Sequence, residues 1–333
     1  MQFSVAFQTD KPLAAYGALA AIVEDYGFDG VSVYNDMLYQ PAWLPLLEIA
    51  RHTHRVQIGP AAVNPFTCHP INIAGNIALI DEASQGRAYL GMARGAWLDF
   101  LGIEPANPVT ALREAFECVR RLLRRSREPY HGNVFKLAGG DSLRWDIYHS
   151  EVPFLLGTWG PKAIHACAAQ ISEIKIGGTA NPAVIPQIRF EADSAAAKAG
   201  RRAGEIGIVV GAVTVVDRDG AAARALAKRE AALYLPVIAQ LDHTLALDSD
   251  LLKRVTGAAA EYDFERAASY ISDDLLKRLA LAGTPDDVVA QALALHEAGA
   301  TRLEFGTPHG ISKEEGLRLL GEAVLPALRR NGL

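Results

Sequence analysis

Four stretches of this chain, residues 31–36, 56–65, 88–95 and 154–160, each set an apolar strand ahead of a short Gly- or Asn-containing turn and then a helix. Strands that are apolar throughout, instead of alternating with polar residues, are the mark of parallel strands covered on both faces. A strand whose carboxyl end feeds a helix amino terminus is also the unit from which α/β barrels build a ligand-binding rim. The same unit recurs along all 333 residues.

The pattern predicts strands at 3–7, 30–34, 56–63, 87–93, 153–158, 173–176, 206–216 and 301–305, alternating with helices. Gly27 closes the first helix, Pro70 and Pro161 open later ones at a position where no N–H is lost, and Ser312 with Glu315 reads as a capping box. Two segments break the rhythm. Residues 128–152 contain a hairpin reading at 130–135, and residues 235–282 look helical with irregular polarity. Eight strands, eight principal helices and no linker predict one domain over 1–333, an α/β fold of the (β/α)8 TIM-barrel class with insertions at about 128–152 and 235–282.

The 38 acids and 33 bases are well mixed, giving a net charge of −5. No Lys/Arg run and no zinc-type Cys/His spacing occurs, so neither a nucleic-acid partner nor a metal is expected. Cys68, Cys118 and Cys167 are odd in number and far apart, which fits reduced thiols in a cytoplasmic protein. No apolar run of membrane-spanning length is present, so no membrane partner is expected either.

Residues at the ends of these strands carry the candidate chemistry. Gly157, Thr158, Trp159 and Gly160 join strand five to its helix, where bare N–H groups would cradle a phosphate; a tight turn would need the same glycines. Gly177 and Gly178 after strand six would add further N–H groups beside them. The loop after strand eight, with His309, competes for this role. Asp36 past strand two would accept hydrogen bonds from a ring or a substrate, or stabilise its own turn; Asn64 carries the same pair of readings. Arg94 would hold an anion and Trp97 stack on it, against a rim salt bridge and a core aromatic. Glu114 and Glu117 read as a solvated helix face.

At 30–36 (GVSVYND), 58–70 (IGPAAVNPFTCHP) and 80–88 (IDEASQGRA) the chain resembles the luciferase-like oxidoreductases, and within them the coenzyme F420-dependent branch typified by methylenetetrahydromethanopterin reductase. Residues 157–162, 282–287 and 306–310 extend the resemblance over nearly the whole length. It implies a hydride-transfer enzyme acting on a small-molecule substrate, with a flat deazaflavin across the carboxyl ends of the strands and its phosphate at loops five and six. An FMN-dependent monooxygenase on the same scaffold is the alternative, and a non-catalytic cofactor-binding protein is a third reading.

The resemblance further implies a cis peptide at Ala61–Ala62 against the ring. Asp36 and Asn64 would contact the cofactor, Asp36 and Arg94 take part in catalysis, and Arg94, Trp97 and His309 face the substrate. It also implies a homodimer, with Leu46, Leu47, Ile71 and Ile77 supplying an apolar patch. Met37, Ala96 and Ala6 stand where relatives carry His or carboxylates, which leaves the proton donor unassigned.

Overall fold

A computed structural model describes residues 1–333. Eight parallel strands form the barrel: β1 (Gln2–Phe7), β2 (Gly30–Val33), β3 (Gln57–Pro60), β4 (Leu90–Ala93), β5 (Phe154–Gly157), β6 (Glu173–Gly177), β7 (Gly207–Val216) and β8 (Arg302–His309). They pair in the order β3-β2-β1-β8-β7-β6-β5-β4, and β3 meets β4 only through the bridges Ile58–Ala88 and Val63–Met92. The circle therefore closes, with one seam thinner than the rest.

The main core is a cluster of 66 buried residues. Helix ends follow from local chemistry. Tyr26 ends the helix Leu13–Asp25 and Gly27 continues the turn at φ 92°, a conformation that glycine tolerates. At Ser312 only half of the expected capping box forms: its hydroxyl accepts the Glu315 amide, while the Glu315 carboxylate turns to Arg318. The reciprocal box lies instead at Thr284 and Asp287, opening the helix Pro285–Glu297. The last helix passes through a π turn at Leu320–Val324, just before Pro326, which lacks the N–H that regular α geometry would use.

Both insertions are tied down by buried polar groups. In the first, Tyr130–His131 pairs with Lys136–Leu137 as the expected hairpin. Its turn is held by Glu114, whose carboxylate accepts the amides of Asn133 (2.9 Å), Val134 (2.7 Å) and Phe135 (3.1 Å). Glu114 is fully buried, so its reading as a solvated residue is corrected: a helix face that meets an insertion no longer faces water.

The second insertion starts later than expected, because the helix Gly220–Leu241 runs on without a break through residue 235 despite Pro236. It ends in a strand, Ala280–Gly283, that pairs with the far half of β7 and escaped the periodicity reading because it is four residues long. A second core of 17 buried residues forms between this segment and the barrel. Asn181, 2% exposed, anchors it by donating to Asp242 (2.8 Å) and Thr244 (2.8 Å).

The expected apolar patch is also revised. Of the four residues expected there, Leu46 and Ile77 are fully buried in the core and Leu47 is half-buried, whereas Ile71 lies 46% exposed, with Leu38, Leu44, Leu79 and Phe100 at 52–82% beside it in the exposed set.

Burial raises the Glu114 carboxyl, but its amide donors and Arg113 outweigh that effect and hold it below the usual carboxylate range. A depressed folded pKa gives stability that is present above the unfolded value of about 4.5 and is lost as pH falls through the folded one. Replacing Glu114→Ala should remove about 2 to 4 kcal/mol at neutral pH, and less at pH 3, measured as a shift in urea midpoint.

Candidate functional site

The mouth of the barrel, at the carboxyl ends of the strands, is floored by small residues. A Cβ placed on Gly157 would lie 3.1 Å from the Ala93 Cβ and 4.0 Å from that of Ala62, whereas one on Gly177 would meet nothing within 4 Å. Gly306 faces the Tyr34 hydroxyl, 2.7 Å from where its Cβ would be. The Ala61–Ala62 peptide is cis, as the resemblance implied, and so is Thr307–Pro308. The result is an open recess over a flat floor.

Asp36 and Asn64 stand on one side of this floor and line a cleft of about 910 Å3 running out between the β2 and β3 loops. Asp36 is half-buried and accepts a hydrogen bond from Gln8 Nε2 at 2.9 Å. Asn64 is 5% exposed, and its Oδ1 already accepts from Phe66 N, Thr67 N and Thr67 Oγ1. Its oxygen builds the loop, which leaves only the amide NH2 to serve a ligand.

On the opposite side lies the loop after β5, read from the sequence as a phosphate cradle, and two of the amides expected to be bare are bonded internally. The Gly160 amide donates to Thr158 Oγ1 (3.1 Å) and the Gly178 amide to the Gly211 carbonyl (2.8 Å), so neither is bare. The amides of Trp159 and Lys162 have no protein acceptor and remain available. Gly178 serves its backbone geometry: it has φ 79°, and a Cβ there would come within 2.8 Å of Ile238 in the insertion helix.

Arg94 and Trp97 lie exposed on the β4 loop, and Arg94 makes no hydrogen bond or ion pair with the protein. The expectation for His309 is corrected. Its ring is 3% exposed, bonds the Ala6 carbonyl through Nε2 at 3.0 Å and packs edge-on to Phe7, 6.0 Å between ring centres. It therefore closes the wall between β8 and β1 and does not face a substrate.

The residues that sequence reasoning missed lie inside the barrel. Glu304 is fully buried; one carboxylate oxygen contacts Lys175 Nζ and the other the Ser32 hydroxyl, which in turn lies 2.7 Å from the Tyr89 hydroxyl. Deeper in the bore Arg302, 2% exposed, pairs with Glu173 at 2.8 Å and lies over the Tyr89 ring. Lys175 Nζ sits 5.2 Å from the centre of the Tyr34 ring at the mouth. Burial would raise the Glu304 carboxyl, but Lys175 and Arg302 pull it below the usual range, so it stays ionised. Burial pushes the Tyr34 and Tyr89 phenols well up, so both stay protonated.

A signal for this network was present in the sequence. Glu173-Ile174-Lys175-Ile176 and Arg302-Leu303-Glu304-Phe305 put charges at every second position of strands whose other face is apolar. In a closed barrel such charges must point into the bore. Tyr234, from the insertion helix, is a second omission; burial first, and then the charge of Asp36, pushes its phenol up to about 12.

With fold and recess described, comparison with known proteins places the chain in a class. The family model described as luciferase-like monooxygenase matches residues 1–302, and the chain belongs to that family. Among curated relatives, the 5,10-methylenetetrahydromethanopterin reductase of Archaeoglobus fulgidus is 27% identical over 336 residues, covering 99% of this chain and 100% of the relative. The F420-dependent glucose-6-phosphate dehydrogenase of Microbacterium testaceum is 27% identical, covering 96% and 93%. The structure of the coenzyme F420-dependent tetrahydromethanopterin reductase from Methanopyrus kandleri superposes with a TM-score of 0.89 at 25% identity, covering 98% of this chain and 99% of that one.

Burial lowers the His309 pKa to about 4, so the ring is neutral in the folded protein. An unfolded His titrates near 6.5, so the unfolded state binds the extra proton first. Stability from this residue is complete above about pH 6.5 and is lost as pH falls toward about 4, by up to about 3 kcal/mol. His309→Asn, which tolerates the left-handed backbone at φ 76°, should flatten that pH dependence in denaturant titrations between pH 7 and 4.5.

Proposed function

We propose that this protein is a coenzyme F420-dependent oxidoreductase that exchanges a hydride between the deazaflavin and a small organic substrate. The observation that carries the reading is the bare floor at Ala62, Ala93, Gly157 and Gly177, which leaves room for a flat ring against the barrel mouth. The full-length likeness to F420-dependent enzymes supports the choice of coenzyme over FMN. When bound, the coenzyme supplies the carbon that gives or takes the hydride.

The chain's own residues bind, orient and exclude water. Trp159 N and Lys162 N would receive the phosphate, since they are the amides of the β5 loop without an internal partner. Ala61, Ala62, Thr158 and Gly160 shape the recess, and Asn64 offers its amide NH2 to the ring edge. Asp36, held by Gln8, accepts a hydrogen bond from coenzyme or substrate. Arg94 and Trp97 face the solvent side of the β4 loop and are the substrate-side contacts of this proposal.

Gly177 gives the sharpest test of the recess. It ends a strand, its φ is ordinary, and a Cβ there meets no protein atom within 4 Å, so Gly177→Val should leave the melting temperature within about 2 °C. The same change should weaken coenzyme F420 at least tenfold by fluorescence titration, because the valine occupies the recess. Tight binding of FMN with oxygen uptake, and no response to F420, would replace this reading with a flavin monooxygenase. Imines, enones and alcohols then serve as the panel for hydride transfer.

The exposed Leu38, Leu44, Ile71, Leu79 and Phe100 form the face of a homodimer in this proposal, since a monomer rarely shows so much contiguous apolar surface to water. Light scattering should give about twice the 35.7 kDa chain mass, and Leu44→Glu, at 61% exposure, should shift it toward the monomer without unfolding the chain.

A further inference from the structure

The Lys175–Glu304 pair has no part in the cradle or the cleft, yet it is the only ion pair reaching the floor from below. We propose that Lys175 is the charge-balancing residue of the mouth, the cation that meets the negative charge a ring gains on accepting a hydride. This rests on the coenzyme reading above and adds to it a residue that no strand-end motif marks.

The argument begins with register. Lys175 lies opposite Gly157 across the β5–β6 pair, and two residues before Gly177 on the same face of β6, so its side chain rises within the recess floor. Gly211 makes room for it: a Cβ there would stand 2.9 Å from Lys175 Cε. Lys175 is 8% exposed and Glu304 fully buried, so the cation is the member of the pair nearer the mouth. The Tyr34 ring, 5.2 Å from its ammonium, is the neighbour on the mouth side.

Other cations lie elsewhere, Lys162 among them, exposed in the first turn of the helix after β5. Arg302 is committed to Glu173 deeper in the bore, Lys11 bonds Asp10 and the Gln8 carbonyl, and Arg94 lies out on the β4 loop. The remaining floor residues are Ala and Gly.

The chemistry requires such a group. A hydride leaves the substrate with both electrons of the broken C–H bond and forms a new C–H bond on the ring. The ring gains one negative charge, and the oxidised substrate releases one proton to solvent. At the floor of the recess that charge is stabilised by a fixed cation. Glu304 holds the Lys175 ammonium in place, and its second oxygen is fixed by Ser32, itself bonded to Tyr89.

The test measures the affinity of oxidised and of reduced coenzyme F420 separately, by fluorescence and absorbance titration. Wild type is compared with Lys175→Arg, Lys175→Met and the charge-balanced double variant Lys175→Met/Glu304→Gln. Lys175→Met alone leaves a buried carboxylate unpaired and is at risk of unfolding, so the double variant carries the test. We expect its preference for the reduced form to fall about tenfold, about 30 mV for a two-electron couple, with Lys175→Arg near wild type. An unchanged ratio in a double variant that folds, judged by circular dichroism, overturns the role of Lys175 and leaves the coenzyme reading standing. A wild type that binds neither form overturns both.

Discussion

A carboxylate with no exposed surface sets the terms for the rest of this barrel. Glu304 stays ionised in the bore because Lys175, Ser32 and Arg302 surround it, and removing Lys175 alone would leave a dry carboxylate without its ion-pair partner, which is strongly destabilising. That requirement explains the alternation of charge and aliphatic in β6 and β8, where one face joins the ion network and the other packs under helices. It also explains Gly211, whose missing side chain is the space that the lysine occupies. Most parallel barrels fill their interior with branched aliphatic layers. Here the lower bore is ionic and the strand ends above it carry small residues.

Much of this architecture was legible in the chain. Long apolar runs bounded by Gly, Pro and Asn fixed all eight barrel strands to within a few residues, because burial on both faces leaves a signal that no surface element imitates. Residues 70–83 are helical over the full predicted length, with Pro70 at its start. What stayed hidden depended on distant partners. Glu114 looks solvent-facing from its own helix and is buried only because a hairpin some 20 residues later folds over it. His309 stands at the end of a strand like a rim residue, yet bonds the carbonyl of Ala6, 303 positions away.

The site divides in the same way. The resemblance found the cis peptide, since it belongs to a local segment. It could not say which amides were free, because Gly178 is satisfied by β7 and Gly160 by its own loop. Met37, Ala96 and Ala6 removed the expected acids. The structure supplies polar groups from other directions instead, Gln8 and Tyr234 around Asp36 and the ion network from beneath.

Trp159 joins these halves. Its indole packs against both hydrophobic cores, the large one of the barrel and the smaller one under the second insertion, and its backbone amide is one of two left free in the cradle. A displacement of the helix Gly220–Leu241 is thereby felt at the β5 loop through one rigid side chain. Lineages that reshape the outer segment for a new substrate inherit a mechanical obligation to keep that joint seated, and drift in the outer helices will be tolerated least where they touch it.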